Sequence, residues 1–371
     1  MGKGRVSGSK KGCFHAGGIM IKDSIHGFIE TSAEEEKIID TPEFQRLRRI
    51  RQLALAHLVY PGANHTRFEH SLGTMHIAGK IAERLELDVR KARLLGLLHD
   101  IGHAAFSHES ERILSKYLGT HERIGKKIIE KSAIGDVVFS NYSKKEFFSG
   151  HEMEIIEHDL GSDRLDYLNR DSYYTGVAYG VIDAERIVST LAFDKRLYLE
   201  RGGLEAAESM LIARFMMFFT VYFHKTVRIA SAMLHKAIEQ GIRSGAVRPE
   251  NFVYGWDDRM IFQLSKKNEF AKRILERKLY KLAYELPFSE ENARLVRGIE
   301  SENIIIDLPY PVYKLRGFDV EINGEKKKID ECSVLVKDLK EAEKSKLKIF
   351  VICEESRRKK TAVELEKILK K

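Results

Sequence analysis

Histidines beside carboxylates are the residues of this sequence whose types and spacing could do chemistry. Ten of its 14 histidines fall between residues 57 and 158. Imidazole and carboxylate together suit a divalent cation such as Mn²⁺, Fe²⁺, Ni²⁺, Zn²⁺ or Mg²⁺. The segments that carry them read HTRFEHSLG at 65–73, HDIGHAAFSH at 99–108, HER at 121–123 and DRLDYLNRD at 163–171.

The adjacent pair His99-Asp100 is the most informative part of this pattern. Side chains of neighbouring residues on a helix diverge by about 100°. At a fraying helix end, however, both can turn toward one ion. The pair stands at the end of a predicted helix, just before Gly102, a natural terminator. A complete site needs ligands from other helices, and His70 and Asp163 are the best placed.

These residues must be positioned by a mainly helical framework. Thr41-Pro42 is a good N-cap and first-turn proline for one helix, and apolar spacing predicts another over residues 68–85. Alternating runs predict short extended segments at 19–32 and a hairpin at 190–203. Further helices are predicted near residues 89–99, 107–118, 121–131, 151–159, 162–174, 183–191 and, as one long helix, 204–240.

The pattern changes after about residue 290. Short β-branched runs separated by charged turns, including VYKLRGFDVEI, KKKIDECSVLV and KIFVICEE, precede a lysine-rich final helix. We therefore expect a mainly α fold, a helical bundle with a short β-hairpin and a small α+β appendage. The expected division is a flexible basic tail at 1–19, a helical domain at 20–289 and an α+β region at 290–371.

Composition limits the classes of protein. With 371 residues, 43% of them hydrophobic, the chain is too apolar for disorder and long enough to bury a core without disulfides. Its cysteines, Cys13, Cys332 and Cys353, are odd in number and far apart. This favours a reducing, cytoplasmic location.

The net charge of +8 opens three classes of partner: nucleic acid, an anionic membrane surface and phosphorylated small molecules. No run of about 18 uncharged apolar residues is present, so no membrane-spanning segment is expected. The basic tail, the 46–51 run and the lysine-rich C-terminus keep a weak nucleic-acid contact open. The arginines of that run, Arg46, Arg48, Arg49 and Arg51, could equally form a solvated helix face or bind phosphate.

The ordered motifs resemble the HD-domain metal-dependent phosphohydrolase superfamily, in particular its deoxynucleoside-triphosphate triphosphohydrolase branch. The similar runs are IKDSIHGFIE, DTPEFQRLRRIRQL, YPGANHTRFEHSLG, LLHDIGHAAFSH, DRLDYLNRD and the Tyr-x-His-Lys at 222–225. They cover roughly residues 20–235. The resemblance implies an HD-domain helical bundle that binds one divalent metal through His70, His99, Asp100 and Asp163.

The resemblance also implies how a triphosphate is held and cleaved. Four residues would line the triphosphate, with His121 as proton donor and Glu122 as its orienting carboxylate: His103, His108, His121 and Glu122. Arg67 and Arg164 would grip phosphates, although relatives often carry lysine at the position of Arg164. The implied reaction is hydrolysis of a deoxynucleoside triphosphate, at the α-phosphorus, to deoxynucleoside and inorganic triphosphate.

Matching positions also imply recognition of the sugar. Gln52 and Asp171 resemble residues that bind a 3′-hydroxyl, with Tyr167 packed nearby. Leu53 and Tyr222 resemble the pair that crowds the 2′ position and rejects ribose, because burying an extra hydroxyl against apolar walls costs free energy. Phe218 stands where relatives usually present a histidine.

Some relatives are tetramers activated by a regulatory nucleotide, so we expect a homo-oligomer, either a dimer or a tetramer. Asp40, Gln45 and Arg48 match positions that hold a guanine nucleotide there. His224 and Lys225 match phosphate contacts, whereas Ile19 stands near where a lysine is wanted.

Two other functions remain open from the residues. The same metal site could serve a phosphomonoesterase or phosphodiesterase acting on other nucleotides or on nucleic acid ends. A non-catalytic nucleic-acid-binding module would use the positive charge alone, and its binding would be salt-sensitive and independent of the metal ligands.

Overall fold

The computed structural model describes residues 18–301, 303–309 and 317–369. The tail predicted for residues 1–19 lies outside this part of the chain except for its last two residues. Most of the described residues are helical, with short strands at the start and toward the end, so the predicted fold class is confirmed.

The first half of the chain is a hairpin followed by a succession of helices. Its elements are β1 Met20–Asp23, β2 Gly27–Glu30, α1 Ala33–Ile39, α2 Pro42–Gln45, α3 Arg67–Arg84, α4 Val89–Leu98, α5 Ser107–Leu118, α6 His121–Lys131, α7 Ala133–Phe139, α8 Lys144–Phe147, α9 His151–Glu157 and α10 Ser162–Thr175.

Helix α3 is the central element of this half, and it packs against α4 and α10. It begins at a capping box in which the Glu69 carboxylate accepts from the Thr66 backbone N–H. Asp88 starts α4 in a similar way, accepting from Lys91 N at 3.0 Å. Leu72, Met75 and Ile81 on α3 are buried in the main apolar core. The three helices that carry the predicted metal ligands therefore pack around one core.

The second group of elements returns the chain to this core. They are α11 Ala184–Ser189, β3 Leu191–Phe193, β4 Leu197–Glu200, α12 Leu204–Met217, a π-helical turn Phe218–Tyr222, α13 Lys225–Arg243, α14 Pro249–Val253, α15 Asp257–Ser265 and α16 Glu269–Leu275. The hairpin predicted at 190–203 is confirmed as β3 and β4, paired antiparallel.

The single long helix predicted over 204–240 is wrong, because the chain turns between α12 and α13. His224 has an extended backbone conformation, and its ring accepts from Thr226 N at 3.2 Å, so it caps a new helix. The resulting bend between the two helical segments is 61°. Apolar periodicity continues through the turn, and this is why the sequence pattern did not reveal it.

The last elements form two small sheets with flanking helices. They are β5 Lys281–Pro287, α17 Glu290–Arg297, β6 Ile304–Asp307, β7 Asp319–Ile322, β8 Glu325–Lys328, α18 Ile329–Cys332, α19 Val334–Lys346, β9 Lys348–Cys353 and α20 Arg358–Leu369. Strand β9 lies between β5 and β6, and β7 pairs in parallel with β4. Both sheets thus contain strands from before and after residue 290. The predicted boundary between a helical domain at 20–289 and an α+β region at 290–371 stays a prediction.

One predicted extended run is helical instead. Of KKKIDECSVLV, only the lysines lie in β8, and the rest begins α18 and α19. Ser333 accepts from Val336 N at 3.2 Å and so caps α19, an effect that outweighs the β propensity of the valines. Most of the run VYKLRG at 312–317 lies outside the described residues.

Among the described residues, no single helix combines the length and apolar character needed to cross a membrane. The segments Arg201–Tyr222 and Lys225–Arg243 have the required length and apolar character only when they are counted together as one bent pair.

Candidate metal centre and active site

The four predicted metal ligands converge from three segments. His70 lies on α3, His99 and Asp100 follow α4, and Asp163 is in the first turn of α10. His70 Nε2 is 3.0 Å from Asp163 Oδ1 and 3.2 Å from His99 Nε2. The carboxylate oxygens of Asp100 are 3.4 Å from His99 Nε2 and 3.7 Å from His70 Nε2. One cation could therefore contact all four side chains. We call these four residues the metal cluster, although no metal is part of the structure.

In His70 and His99, a hydrogen bond at Nδ1 fixes the ring so that Nε2 faces the other ligands. His70 Nδ1 is 2.7 Å from the buried Asp166 carboxylate, and His99 Nδ1 is 2.8 Å from the Gly96 carbonyl. Because both partners only accept hydrogen bonds, the Nδ1 atoms carry the protons. Each Nε2 then faces the centre and can give a lone pair to a cation that displaces a proton from it, as in metal-binding histidines. Two such nitrogens with two carboxylates fit a divalent cation.

A buried ionic network stands behind His70, and the sequence analysis did not predict it. Asp166 accepts from Arg170 at 2.8 and 2.9 Å and lies 2.7 Å from His26 Nε2. Arg170 in turn donates to Asp23 on β1 at 2.8 Å. The spacing of four between Asp166 and Arg170 on a helix is a signal that could have indicated the pair. The network ties the first hairpin to the metal cluster.

The charges of the cluster suit a cation. Burial acts to raise the pKa of Asp100, but Arg67 and His99 hold it well below its usual range. Burial acts to lower the pKa of His70, but the carboxylates of Asp163 and Asp166 raise it to about 10. The carboxylates are therefore ionised, and their negative charge draws either protons or a metal to the histidines.

Three further predicted residues, His103, His108 and His121, form what we call the histidine cluster. The rings of His103 and His121 are stacked, with centroids 4.0 Å apart, and the ring of His108 lies perpendicular to His103 at 4.6 Å. Burial, together with Arg67 and His121, lowers the pKa of His103 well below its usual value. His103 is thus neutral, and neither of its buried nitrogens has a hydrogen-bond partner among the described residues.

Glu111, which the sequence analysis missed, makes the contact predicted for Glu122. Its Oε1 is 2.9 Å from His121 Nδ1, and its Oε2 is 3.2 Å from His108 Nδ1. Glu122 has a side chain that is 62% exposed, and its Oε1 is 3.5 Å from His121 Nε2. The i, i+3 spacing of His108 and Glu111 on α5 was the available signal.

Arg67 joins the metal cluster to the histidine cluster. Its Nη1 donates to Asp100 Oδ2 at 2.5 Å, and its Nε donates to Ser107 Oγ at 2.8 Å. Asp100 Oδ1 is also 3.3 Å from His103 Nε2. The predicted phosphate ligand Arg67 is buried between the two groups of side chains.

The predicted sugar-binding residues are also adjacent. Asp171 accepts from the Tyr222 hydroxyl at 2.5 Å and lies 2.8 Å from His65 Nε2, a residue that the sequence analysis did not use. Gln52 N donates to His65 O at 3.0 Å, and its buried Oε1 has no hydrogen-bond partner among the described residues. The ring of Tyr167 lies 6.5 Å from that of His70.

Two more side chains border this region. Leu53 is half-buried and packs against the main core and against the small apolar cluster of Ala56, Ala63 and Val227. Arg214 on α12, which the sequence analysis did not single out, is buried and lies 3.6 Å from Asp159 Oδ1. Burial raises the pKa of Tyr167, and the nearby Arg214 only partly opposes this.

Arg164 and Arg46 have other contacts than those predicted. Arg164 donates to the carbonyls of Glu157 and His158 at 2.8 and 2.5 Å and lies 3.0 Å from the Asp159 carboxylate. Its guanidinium is therefore directed at the connection before α10. Arg46 is half-buried, and its guanidinium donates to the carbonyls of His103 and Ile101 in the loop between α4 and α5, at 2.9 Å each.

The residues predicted to hold a regulatory nucleotide lie near one another. Arg48 Nε donates to Gln45 Oε1 at 2.9 Å, and its guanidinium lies 3.5 Å above the ring of Phe68. Asp40 ends α1, and Gln45 donates to the carbonyl of Ile39 at 2.8 Å. His224 and Lys225 stand instead at the start of α13.

Comparison with curated proteins finds relatives that align with most of the chain. An uncharacterised protein of Methanocaldococcus jannaschii is 39% identical over 355 residues, which cover 87% of this chain and 76% of that protein. A Dictyostelium discoideum protein named deoxynucleoside triphosphate triphosphohydrolase SAMHD1 homolog is 29% identical over 77% of this chain, and the chain spans 64% of its length.

Solved structures show the same fold over nearly the whole chain. A hypothetical protein from Aquifex aeolicus superimposes with a TM-score of 0.81 at 32% identity, covering 94% of this chain and 100% of its own. A phosphohydrolase from Bacteroides thetaiotaomicron gives a TM-score of 0.70 at 27% identity, covering 91% of this chain and 100% of its own.

Two family models match the chain in succession. The HD domain model matches residues 67–171, which include all four predicted metal ligands. The model of the HD associated region matches residues 182–370, more than half of the chain. With both models in sequence order, the chain belongs to the HD-domain phosphohydrolase superfamily.

Proposed function

We propose that this protein hydrolyses deoxynucleoside triphosphates to deoxynucleoside and inorganic triphosphate with the help of a divalent cation. The observation that carries the proposal is the position of Asp100. One of its oxygens lies 3.4 Å from His99 and 3.3 Å from His103, so the metal cluster and the histidine cluster meet at one carboxylate. A cation site beside a patch of imidazoles and Arg67 suits a polyphosphate.

His70, His99, Asp100 and Asp163 would hold the cation, which would lower the pKa of a water and neutralise charge on the attacked phosphate. The bond that breaks joins the α-phosphorus to O5′ of the nucleoside. Water supplies a hydroxyl to phosphorus, and O5′ takes up a proton. His121 is the proton donor in this proposal, since Glu111 raises its pKa although burial opposes this. Arg67 and the neutral His103 orient the phosphate oxygens.

Selection of the deoxy sugar is supported by the arrangement around Asp171. The Asp171 carboxylate or the unpartnered Gln52 Oε1 can accept the one hydrogen bond that a 3′-hydroxyl donates. The Tyr222 hydroxyl is already bonded to Asp171, so its ring edge and Leu53 present apolar surface to the 2′ position. A ribose 2′-hydroxyl would be left without a partner there, which disfavours ribonucleotides.

A nucleotide panel tests the proposal. Purified protein is incubated with each deoxynucleoside and ribonucleoside triphosphate and Mn²⁺, Mg²⁺ or Ni²⁺, and the products are separated by chromatography. We expect deoxynucleoside and inorganic triphosphate from the deoxy substrates, and no product with Asp100→Ala. Orthophosphate or a monophosphate instead would favour the phosphomonoesterase or phosphodiesterase alternative. Salt-sensitive nucleic-acid binding with no product from any nucleotide would favour the binding module.

The proposed setting is a cytoplasmic homo-oligomer with a regulatory nucleotide near Asp40, Gln45 and Arg48. For the nucleotide, the support is that Arg48 and Gln45 lie together, joined by a hydrogen bond of 2.9 Å, next to the ring of Phe68. Light scattering and initial rates with and without a guanine nucleotide test the two parts: a monomeric mass under both conditions contradicts the oligomer, and an unchanged rate contradicts the regulatory nucleotide.

A further inference from the structure

The loop that carries the histidine cluster has an unusual backbone. Between Asp100 and α5, Phe106 and Ser107 have φ angles of +67° and +53°. Neither is glycine, and side chains rarely adopt this left-handed region, still less at two successive positions. Such a conformation persists only where its surroundings hold it. His103 and His108 flank the two residues, so whatever holds this turn also holds the imidazoles.

Asp257 in the first turn of α15 makes the central contact with this turn. Its Oδ1 accepts from Phe106 N at 2.7 Å, and its Oδ2 accepts from Arg51 N at 2.9 Å. The side chain is 1% exposed. A single carboxylate thus binds N–H groups of two segments that lie 151 and 206 residues away from it.

Neighbouring bonds complete the attachment. Phe252 O accepts from Ala105 N at 2.9 Å, and the Ser107 hydroxyl donates to Arg51 O at 3.1 Å. Arg46 donates to the carbonyls of Ile101 and His103, at 2.9 Å each. The loop is therefore held on one side by α14 and α15 and on the other by the segment at 46–51.

The charged groups that face Asp257 come from both sides. Arg51 Nη1 lies 3.8 Å from its Oδ2, the half-buried Arg46 interacts with it electrostatically, and Asp258 follows it on the same helix. Burial raises the pKa of Asp257 to about 6. The two N–H groups and the charge of Arg51 act in the opposite direction but do not outweigh burial. At neutral pH the side chain is mostly ionised and can accept at both oxygens. Protonation leaves the carbonyl oxygen as the one strong acceptor, so the hydrogen bond that an N–H group donates to the other oxygen weakens.

We propose that Asp257, which belongs to the HD associated region and not to the HD domain, is a positioning residue that holds the loop 103–108 in its reactive conformation. The proposal rests on the function proposed above in so far as it concerns catalysis. It assigns to α15 a task in the reaction although no residue of α15 is proposed to contact the substrate.

The test compares Asp257→Asn with Asp258→Asn in the full-length protein. Asn removes the charge and one acceptor at the same size, and Asp258, with a side chain 74% exposed and 2.9 Å from Arg51, is a matched control in the same turn. For Asp257→Asn we expect kcat to fall about tenfold or more with KM little changed, because the imidazoles act mainly in the transition state. Bound metal, measured by mass spectrometry, should stay at the wild-type level.

Hydrogen exchange gives a readout that does not need turnover. Peptides covering residues 103–108 should exchange about tenfold faster or more in Asp257→Asn than in Asp258→Asn, while peptides from α3 should not differ. The difference between wild type and Asp257→Asn should be full above pH 7 and shrink as the pH falls through about 6, where wild-type Asp257 is itself protonated. If Asp257→Asn does not fold, the wild type alone tests the proposal: exchange at 103–108 should lose protection, relative to α3, as the pH falls through about 6.

Unchanged kcat in Asp257→Asn, an equal loss in Asp258→Asn, or exchange at 103–108 that does not respond to the substitution or to pH would overturn the proposal. If wild type hydrolyses no nucleotide, the proposed function fails by itself, and the exchange experiment still decides whether Asp257 holds the loop.

Discussion

Glu111 controls the protonation of the proposed proton donor. It lies 2.9 Å from His121 Nδ1 and also accepts from His121 N at 2.7 Å. Burial acts to lower the pKa of His121, but the Glu111 carboxylate overcomes this and raises it. The imidazolium form, present below that pKa and lost as the pH rises through it, therefore persists to a higher pH than in an isolated histidine.

We predict that Glu111→Gln lowers kcat by about tenfold or more and moves the alkaline decline of activity to lower pH. The neutral amide no longer stabilises the imidazolium, so the pKa of His121 falls and the proton is lost earlier. Rates measured between about pH 5.5 and 9 with the best deoxy substrate check both effects.

Glu122→Gln is the matched control, because Glu122 is exposed and lies 3.5 Å from the other nitrogen of the same ring. We expect little change in its pH profile. An equal shift in both variants would contradict the assignment of this role to Glu111.

At the scale of elements, the close approach of α6 to the loop after α4 brings His121 onto His103. A Cβ at Gly102 would lie 2.0 Å from His121 O and 2.3 Å from Gly125 N. Both are backbone atoms of α6, so they cannot move aside as the end of a flexible side chain could. Only glycine at position 102 permits the ring stacking at 4.0 Å.

Gly102→Ala should therefore separate α6 from the loop. We expect the free energy of unfolding to fall by about 1–3 kcal/mol, as in other overpacked sites, and kcat to fall with it. Urea titration and rate measurements check the two effects.

Gly298→Ala serves as the comparison, because a Cβ there meets Leu295 O at an ordinary 3.6 Å. Its free energy of unfolding should stay within about 0.5 kcal/mol of wild type. A Gly102→Ala protein as stable and active as Gly298→Ala would refute the packing argument.

At the scale of the whole molecule, a buried ion pair attaches the last sheet to the helical body. Arg228 on α13 contacts the Asp307 carboxylate on β6 at 2.6 and 2.7 Å, and its guanidinium lies 3.9 Å above the ring of Phe350 on β9. Both charged side chains are more than nine-tenths buried. Removing one partner leaves an uncompensated charge, which costs more than the pair itself contributes.

Asp307→Ala should thus lower the free energy of unfolding by about 3–5 kcal/mol. Glu300→Ala breaks the exposed pair of Glu300 with Lys236 and should cost less than about 1 kcal/mol. Chemical denaturation of both variants checks the difference. Equal losses would contradict a buried attachment through Arg228.

The sequence alone was sufficient for the helical class, the hairpin at 190–203 and the grouping of His70, His99, Asp100 and Asp163. The helices follow from short-range periodicity and caps, as at Thr41, which accepts from Phe44 N at the start of α2. The ordered histidine and aspartate motifs indicated the ligand set, and three helices packed on one core brought it together.

Tertiary structure decided the contacts between residues distant in the chain. It bonded Glu111 and not Glu122 to His121 Nδ1, turned Arg164 toward the carbonyls before α10, and set Asp257 against Phe106. Spacing along one helix gives the direction of a side chain, but the partner depends on how helices pack. Local periodicity carries no information on that packing, because it arises from apolar surfaces buried between remote segments.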